Sequence, residues 1–568
     1  MRNNLRDTIV MMACGLLLAG HLSAIGPRER VYAQTDKPVY LAGELLWTKL
    51  VVTDAEGLPT ALSKVGYVEL LDATTAQVQA RVNLVEGVGE ACLELPAMLP
   101  TGYYRLVAYT RQARNEGEEA FFHTTIGVVN TFRKDGAVPT DTTLWATAPS
   151  DGADGLAIRL DKNVFGRRER GEVILEGLPA DLRTLSLSIA GRSAVPVPGR
   201  TDLRAWRSGL SSRAGLPLNG TFLPEYEGPI IEGRLVDTRT GKAPTAPGVQ
   251  ALLGFVGDEV RVFGGQQQAD PGAVLFLTKR IDGAGELAVT TYEPLAMGTG
   301  VGSPYRVDIE SPFALHPEVE MPRMRLNSAW RDELERRHVG LQLTRTFGTR
   351  RLGHVERALP HFQWTPDKSY LLDEYKRFPT MGETVFEFVE SVSFRERDGR
   401  QTLFVLLSDL SNGGSRMNPP LVLLDGIPIV DHQLVYDYDP ALVKRIDVYR
   451  DRYSFGGQSF EGIFSLTTKQ GHYPSLRLTE PSQLFDYAGT RPHRLFWAPD
   501  YTDAAARADR LPDYRHTLLW LPEVPTDGGS SVRVPFSTSD LRGTYEVVVE
   551  GFTRSGQVIY GRVAFRVE

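Results

Sequence analysis

The chain has 568 residues, with 63 Lys and Arg against 70 Asp and Glu and a formal net charge of −7. Its apolar share of 42% and charged share of 23% exclude wholesale disorder, and the negative balance excludes a whole-protein electrostatic case for nucleic acid. The 55 glycines and 36 prolines favour turns and short strands over long helices, over about four domains of roughly 150 residues.

Residues 1–24 read as a secretory signal peptide. Arg2 and Arg6 make the start positive, Ile9 to Leu18 is largely apolar, and Leu22-Ser23-Ala24 ends in a small residue suited to cleavage. The run is shorter than the ~20 residues of a spanning helix, and no later stretch supplies one. Cys14 lies inside this run, which continues to Ala19, so cleavage before Ile25 is expected rather than lipidation of Cys14. Cys92 is then the single cysteine, which rules out an intramolecular disulfide and a cysteine-based zinc site. Strand alternation puts it on one face with Glu90 and Glu94, opposite Ala91, Leu93 and Leu95, and predicts a thiol open to reagents.

β-Branched and aromatic runs bounded by turn signals predict strands at 45–52, 65–71 and 103–109, spaced as in a β-sandwich of about 100 residues. One short element occurs twice. Asp36-Lys37-Pro38-Val39-Tyr40-Leu41-Ala42-Gly43-Glu44 matches Asp161-Lys162-Asn163-Val164-Phe165-Gly166-Arg167-Arg168-Glu169 in its aspartate, lysine, aromatic and glutamate, and each copy precedes an apolar strand. Such repetition argues for tandem sandwiches. Residues 326–347 form the one long helix pattern, with Trp330, Leu334, His338 and Leu341 on a stripe that makes His338 a core or interface residue. Thr380 and Glu383 have capping-box spacing for a helix at 381–389. Leu421–Leu424 is apolar on both faces and predicts a buried central strand that turns at Asp425-Gly426. Val443, Ile446 and Val448, then Ile463, Phe464 and Leu466, mark two further packed strands.

These residues reach known families by resemblance. Thr35 to Tyr40 with Gly43-Glu44 resembles the opening of the macroglobulin domain of α-2-macroglobulin relatives, through Asp36, Lys37, Pro38, Tyr40, Gly43 and Glu44. Leu519 to Val524, Thr526-Asp527 and Asp540 to Tyr545 resemble the strand-rich segment before that family's thioester region. Gly233 to Asp237 with Thr240 to Pro244 resembles a carboxypeptidase regulatory-like sandwich. Pro420 to Pro428, Val443 to Tyr449 and Gly462 to Lys469 are similar to the plug domain of TonB-dependent receptors, with Asp425, Gly426, Tyr449, Gly456, Gly457 and Gly462 as its motif positions.

The resemblances imply a mainly β fold: tandem β-sandwich (macroglobulin/Ig-like) domains plus a small α+β plug-like domain. The expected divisions are a signal peptide at 1–24, macroglobulin-like sandwiches at 28–133 and 150–215, and a carboxypeptidase regulatory-like sandwich at 226–313. A helical linker follows at 314–365, then the plug-like domain at 366–474 and a C-terminal macroglobulin-like β domain at 475–568. The residues after Pro474 are too few to close a receptor barrel at about 10 residues per strand. No Gly-Cys-Gly-Glu-Gln thioester stretch occurs either.

Other chemical signatures are missing. The sequence lacks a His-Glu-x-x-His helix and a phosphate loop, and Gly457-Gln458-Ser459-Phe460-Glu461-Gly462 is one residue too long for a nucleophile elbow. Asp437 and Asp439 lack the rest of a calcium loop and read as a solvated acidic turn. The expectation is a non-enzymatic, exported protein of the periplasm or outer membrane, with no catalytic residue, cofactor or metal. It would bind envelope proteins or peptides and dock on a TonB-dependent uptake complex or outer-membrane barrel. The alternatives are a hydrolase with an unrecognised site and a surface-secreted, adhesin-like protein.

Overall fold

The computed structural model describes residues 27–73, 75–133, 138–140, 153–154, 156–245, 248–279, 281–293, 297–298, 303–347, 353–354, 364–409, 419–473 and 482–568. The expected signal peptide and Cys14 lie outside the described residues.

Eight strands form the first sandwich: β1 (Glu29–Thr35), β2 (Val39–Leu41), β3 (Leu45–Asp54), β4 (Val65–Leu71), β5 (Ala76–Val85), β6 (Val88–Glu94), β7 (Gly102–Thr110) and β8 (Phe122–Val129). They run in the order β1-β3-β6-β5-β4-β7-β8-β2. β5 pairs along most of its length with β4, then turns to β6 through Leu84 and Val85, which wraps one sheet into two layers. Alternate residues such as Leu46, Leu50, Leu70, Leu106 and Phe122 fill the space between the layers.

The chain continues into β9 (Ala157–Leu160), β10 (Val164–Phe165), β11 (Arg170–Glu176) and β12 (Leu182–Gly191). It then leaves this sheet. Helix α1 (Leu203–Ser208), capped by Asp202, packs Leu203 and Trp206 into the first sandwich's core. A third sandwich follows: β13 (Ile230–Asp237), β14 (Gln250–Phe255), β15 (Val262–Gly264), β16 (Gln266–Gln267), β17 (Ala273–Leu277), β18 (Ala284–Tyr292) and β19 (Tyr305–Ile309). Helix α2 (Arg331–Phe347) comes next, and with Trp330 of the turn before it buries Leu334 and Leu341 against Val39, Leu41 and Val129 of the first sandwich. The expected helical linker is therefore a strap across that sandwich, and the stripe read from the sequence is its contact face.

The α+β unit comprises β20 (Lys368–Leu371), α3 (Met381–Phe388), the hairpin β21 (Val392–Arg397) and β22 (Arg400–Val405), β23 (Leu421–Leu424), β24 (Ile427–Pro428), α4 (His432–Tyr436), β25 (Val443–Phe455) and β26 (Gln458–Thr468). Its main sheet runs β20-β25-β26-β23-β24, and β23, fully buried, pairs in parallel with β26. Thr380 caps α3 by accepting the Glu383 N–H at 3.2 Å, as its spacing predicts. β27 (Ser482–Ala488) then returns to pair with β18, which completes the third sandwich as sheets β16-β17-β13-β19 and β15-β14-β18-β27.

The last four strands are β28 (Thr517–Leu521), β29 (Ser531–Ser537), β30 (Gly543–Thr553) and β31 (Val558–Val567). They pair with the strands left behind at Gly191: β28 and β30 flank β12, β29 pairs with β11, and β10 runs parallel to β31. Segments 150–215 and 475–568 are thus not two domains, which corrects the sequence division. Their strands share one core of Val173, Leu185, Leu187, Val534, Val547 and Phe565. Apart from the β5–β6 link, β9–β12 and β28–β31 repeat the pairing of β1–β8, so everything between Gly191 and Thr517 is inserted where the first sandwich has its β4–β5 turn. Ala190 pairs directly with Thr517, so the ends of the insertion lie side by side.

Candidate functional site

The repeated motif does the same mechanical work in both sandwiches. Oδ1 of Asp36 accepts the Trp47 N–H at 3.1 Å, and Oδ1 of Asp161 accepts the Glu172 N–H at 2.9 Å, each eleven residues downstream. Each bond ties the loop before a parallel edge strand to the strand beyond it. The surroundings differ completely. Asp36 and Lys37 are buried, whereas Asp161 and Lys162 face solvent.

Around Asp36 the burial is matched by polar partners from three directions. Oδ1 also accepts the Tyr40 hydroxyl at 2.7 Å, and Oδ2 accepts the Thr517 hydroxyl of the second sandwich at 2.7 Å. The Lys37 ammonium lies 3.2 Å from Asp36 and 3.4 Å from Glu44, and donates to Thr517 at 3.1 Å. Glu44 meets Arg337 of α2 at 3.2 Å. Burial tends to raise the Glu44 carboxyl, but the Lys37 and Arg337 cations overcome it and hold the group below its usual range. Pro38 accepts the Gly127 N–H through its carbonyl, and Gly43, at φ +88°, makes the turn into Glu44. The motif is a clamp joining first sandwich, second sandwich and strap. Sequence reasoning found its acidic half and missed Thr517 and Arg337, whose distance along the chain left no local signal.

A second polar seam lies beside it. Tyr32 donates to the buried Glu550 at 2.8 Å, and Lys49 approaches Glu523 at 3.2 Å. Burial pushes the Glu550 carboxyl up to about 7, against the lowering effect of the Tyr32 bond. Its ordinary value is 4.5. The folded protein therefore holds this proton through the window from 4.5 to 7 that the unfolded chain releases, so the contribution of Glu550 to stability is greatest below 4.5 and is lost as pH rises to 7. Glu550→Gln keeps an acceptor for Tyr32 and should stabilise the protein at pH 8 by about 2 kcal/mol, with little change at pH 4. Urea titrations at both pH values test this, and equal shifts at the two would disprove it.

The glycine motif of the α+β unit also joins two bodies. Asp425 and Gly426, at φ +47° and +80°, form the two-residue turn between β23 and β24. Asp425 is buried and accepts the Thr468 N–H and the Tyr473 N–H, both at 2.7 Å, and the Thr468 hydroxyl at 2.6 Å. A side chain at Gly426 would place Cβ 2.0 Å from the Phe255 carbonyl oxygen, and one at Gly456 would meet the backbone of Gly264 at 2.6 Å. Tyr449 packs with Leu421, Leu423, Ile463 and Phe455 against Leu252, Val262 and Tyr292 of the third sandwich. Gly457 and Gly462 complete the set, the first in the β25–β26 turn and the second against Val405. All six positions are turns or packing sites.

Other sequence readings resolve similarly. Asp439 caps the turn at Pro440–Leu442 by accepting the Ala441 N–H at 2.8 Å, as a structural acidic turn should. Ser459 shares a hydrogen bond with Ser454 at 3.1 Å. His338 bonds Thr131 at 2.6 Å and packs on Phe132, an interface residue as expected. Among the described residues no group of three or more His, Cys, Asp or Glu could hold a metal, and no helix is long and apolar enough to cross a membrane.

The expectation for Cys92 is corrected. Alternation did place it on the outer face of β6, but Trp520 of the second sandwich covers that face, and Cys92 is only 6% exposed between Trp520 and Trp47. Burial pushes its thiol up to about 12, against the lowering effect of Arg494. Cys92 should resist a thiol reagent in the native protein at pH 8 and react at once in denaturant. Full labelling without denaturant would contradict this packing.

Among the described residues, the α+β unit leaves several large apolar side chains exposed. Phe386, Leu371 and Tyr375 of the α+β unit are 87%, 44% and 38% exposed, and Tyr375 stacks on Phe388 at 4.3 Å. Phe378 and Tyr370 extend the aromatic contacts around Phe388.

No protein-family model and no curated protein matches this chain. Among solved structures it is similar to the native Escherichia coli α-2-macroglobulin at 12% identity and TM-score 0.23, over 96% of this chain and 40% of that one. It is similar to a Salmonella α-2-macroglobulin reacted with methylamine at 10% identity and TM-score 0.23, over 97% and 40%. FdeC, an Escherichia coli adhesin, aligns over 46% of this chain and 59% of its own at 13% identity and TM-score 0.13. The chain spans about two fifths of the length of the macroglobulins it matches.

Proposed function

We propose that this chain is a non-enzymatic, exported envelope protein that binds proteins or peptides, with the sandwiches as scaffold and the α+β unit as the contact module. The observation that carries the reading is the set of large apolar side chains left exposed, Phe386 above all, on a unit whose own core is otherwise well filled. Large exposed aromatics are costly in water, and they supply most of the energy where interfaces form. β23 is covered on one face by the third sandwich and on the other by Val385 of α3 and Val435 of α4. A barrel or other envelope partner would therefore meet these exposed side chains rather than the sheet. The macroglobulin-like motif at Asp36 and the plug-like motif at Asp425 act in this reading as joints.

The test is site-specific photo-cross-linking in native envelopes, with the probe at position 386 and, as a control, at Leu315, which is 98% exposed in the segment before α2. Discrete cross-linked partners from 386 alone are expected. Equal products from both positions, or none from 386, would overturn the proposal. Deleting 366–474 is a poorer test, because it would strip the cover from Leu252, Val262 and Tyr292.

A further inference from the structure

We infer that a basic groove on the second sandwich binds an acidic peptide segment of a partner protein. The groove, of about 460 Å3, opens where α2 passes the end of the β30–β31 ladder. Three guanidiniums line it from separate places: Arg336 on α2, Arg542 just before β30 and Arg566 in β31. Thr544 pairs with Arg566, and alternation puts Arg542 on the same face two residues earlier. All three arginines are exposed.

Their neighbours are committed elsewhere. Arg562, further along the same ladder, and Arg192, just after β12, both pair with Glu546, and Arg337 pairs with Glu44. Arg336 donates its Nε to the Asp332 carbonyl at 3.1 Å, which leaves the two ends of its fork available. Glu568 is the one acidic side chain in the lining, against three cations. In a chain of net charge −7 this is a local reversal of sign, felt within a Debye length of about 8–10 Å. Guanidinium forks match carboxylates in two-point hydrogen bonds. Spread over three elements in an open groove, they suit a run of carboxylates better than one compact anion.

The experiment uses a fluorescein-labelled octaglutamate peptide and the whole protein, read by anisotropy. The expected result is binding that weakens steeply between about 50 and about 300 mM salt. Arg542→Ser with Arg566→Ser should weaken it about tenfold or more, and Arg239→Ser, exposed on the third sandwich, should leave it within about twofold. Should the double variant melt early, Arg336→Ser alone serves, with a loss of about threefold expected. Failure of the wild type to bind, or unchanged binding in the groove variants, would overturn the inference. Displacement by equimolar inorganic pyrophosphate would overturn it too, in favour of a small-oxyanion site.

Discussion

Gly426→Val should destabilise the protein by about 3 kcal/mol or more, among the larger effects of a single substitution. Two causes act together. At φ +80° a β-branched residue is strained by about 1–3 kcal/mol, and its Cβ would stand 2.0 Å from the Phe255 carbonyl oxygen, which is backbone and cannot swing aside. Relief requires the β23–β24 turn to lift away from the third sandwich, which uncovers the shared packing of Leu423, Tyr449 and Leu252. Gly457→Val separates the two causes. Gly457 has φ +86° and nothing within 4 Å of where a Cβ would sit, so only the strain of about 1–3 kcal/mol is expected there. Denaturant unfolding of the two variants gives the comparison, and equal losses would mean that the contact between units contributes nothing.

Asp36→Ala should cost about 3–5 kcal/mol, against less than about 1 kcal/mol for Asp161→Ala. The two aspartates make the same bond to the backbone eleven residues on. Only Asp36 is buried, with the Lys37 ammonium, the Tyr40 hydroxyl and the Thr517 hydroxyl all directed at it. Removing it leaves the Tyr40 and Thr517 hydroxyls and the Trp47 N–H buried without that acceptor, and leaves the buried Lys37 ammonium with Glu44 as its remaining charge partner. At Asp161 water replaces what is lost, and the neighbouring Lys162 keeps its pair with Glu169. The ratio of the two losses is the measurement. A cost at Asp161 matching that at Asp36 would show that the backbone tie, not the buried network, holds the motif together.

What the sequence determined by itself was local. Strands at 45–54, 65–71 and 102–110 are where apolar and β-branched runs end at turn residues, and α3 starts where Thr380 offers its cap. The motif at 36–44 and 161–169 announced a duplicated unit, because each copy carries the aspartate that makes its tie. The positive-φ turn at Asp425-Gly426 was legible because a two-residue hairpin admits few residue types. Alternation tells which residues share a face, but not what covers that face or which strand lies alongside. Cys92 was placed on the right face of β6, yet only Trp520, contributed by the second sandwich, decides that this face is dry. The partners of β11 and β12 were equally unreadable, since β28, β29 and β30 come after the whole third sandwich and the α+β unit. Register between such distant strands is chosen by burial of matching apolar faces in one core, a property of the assembled layers that no local window contains.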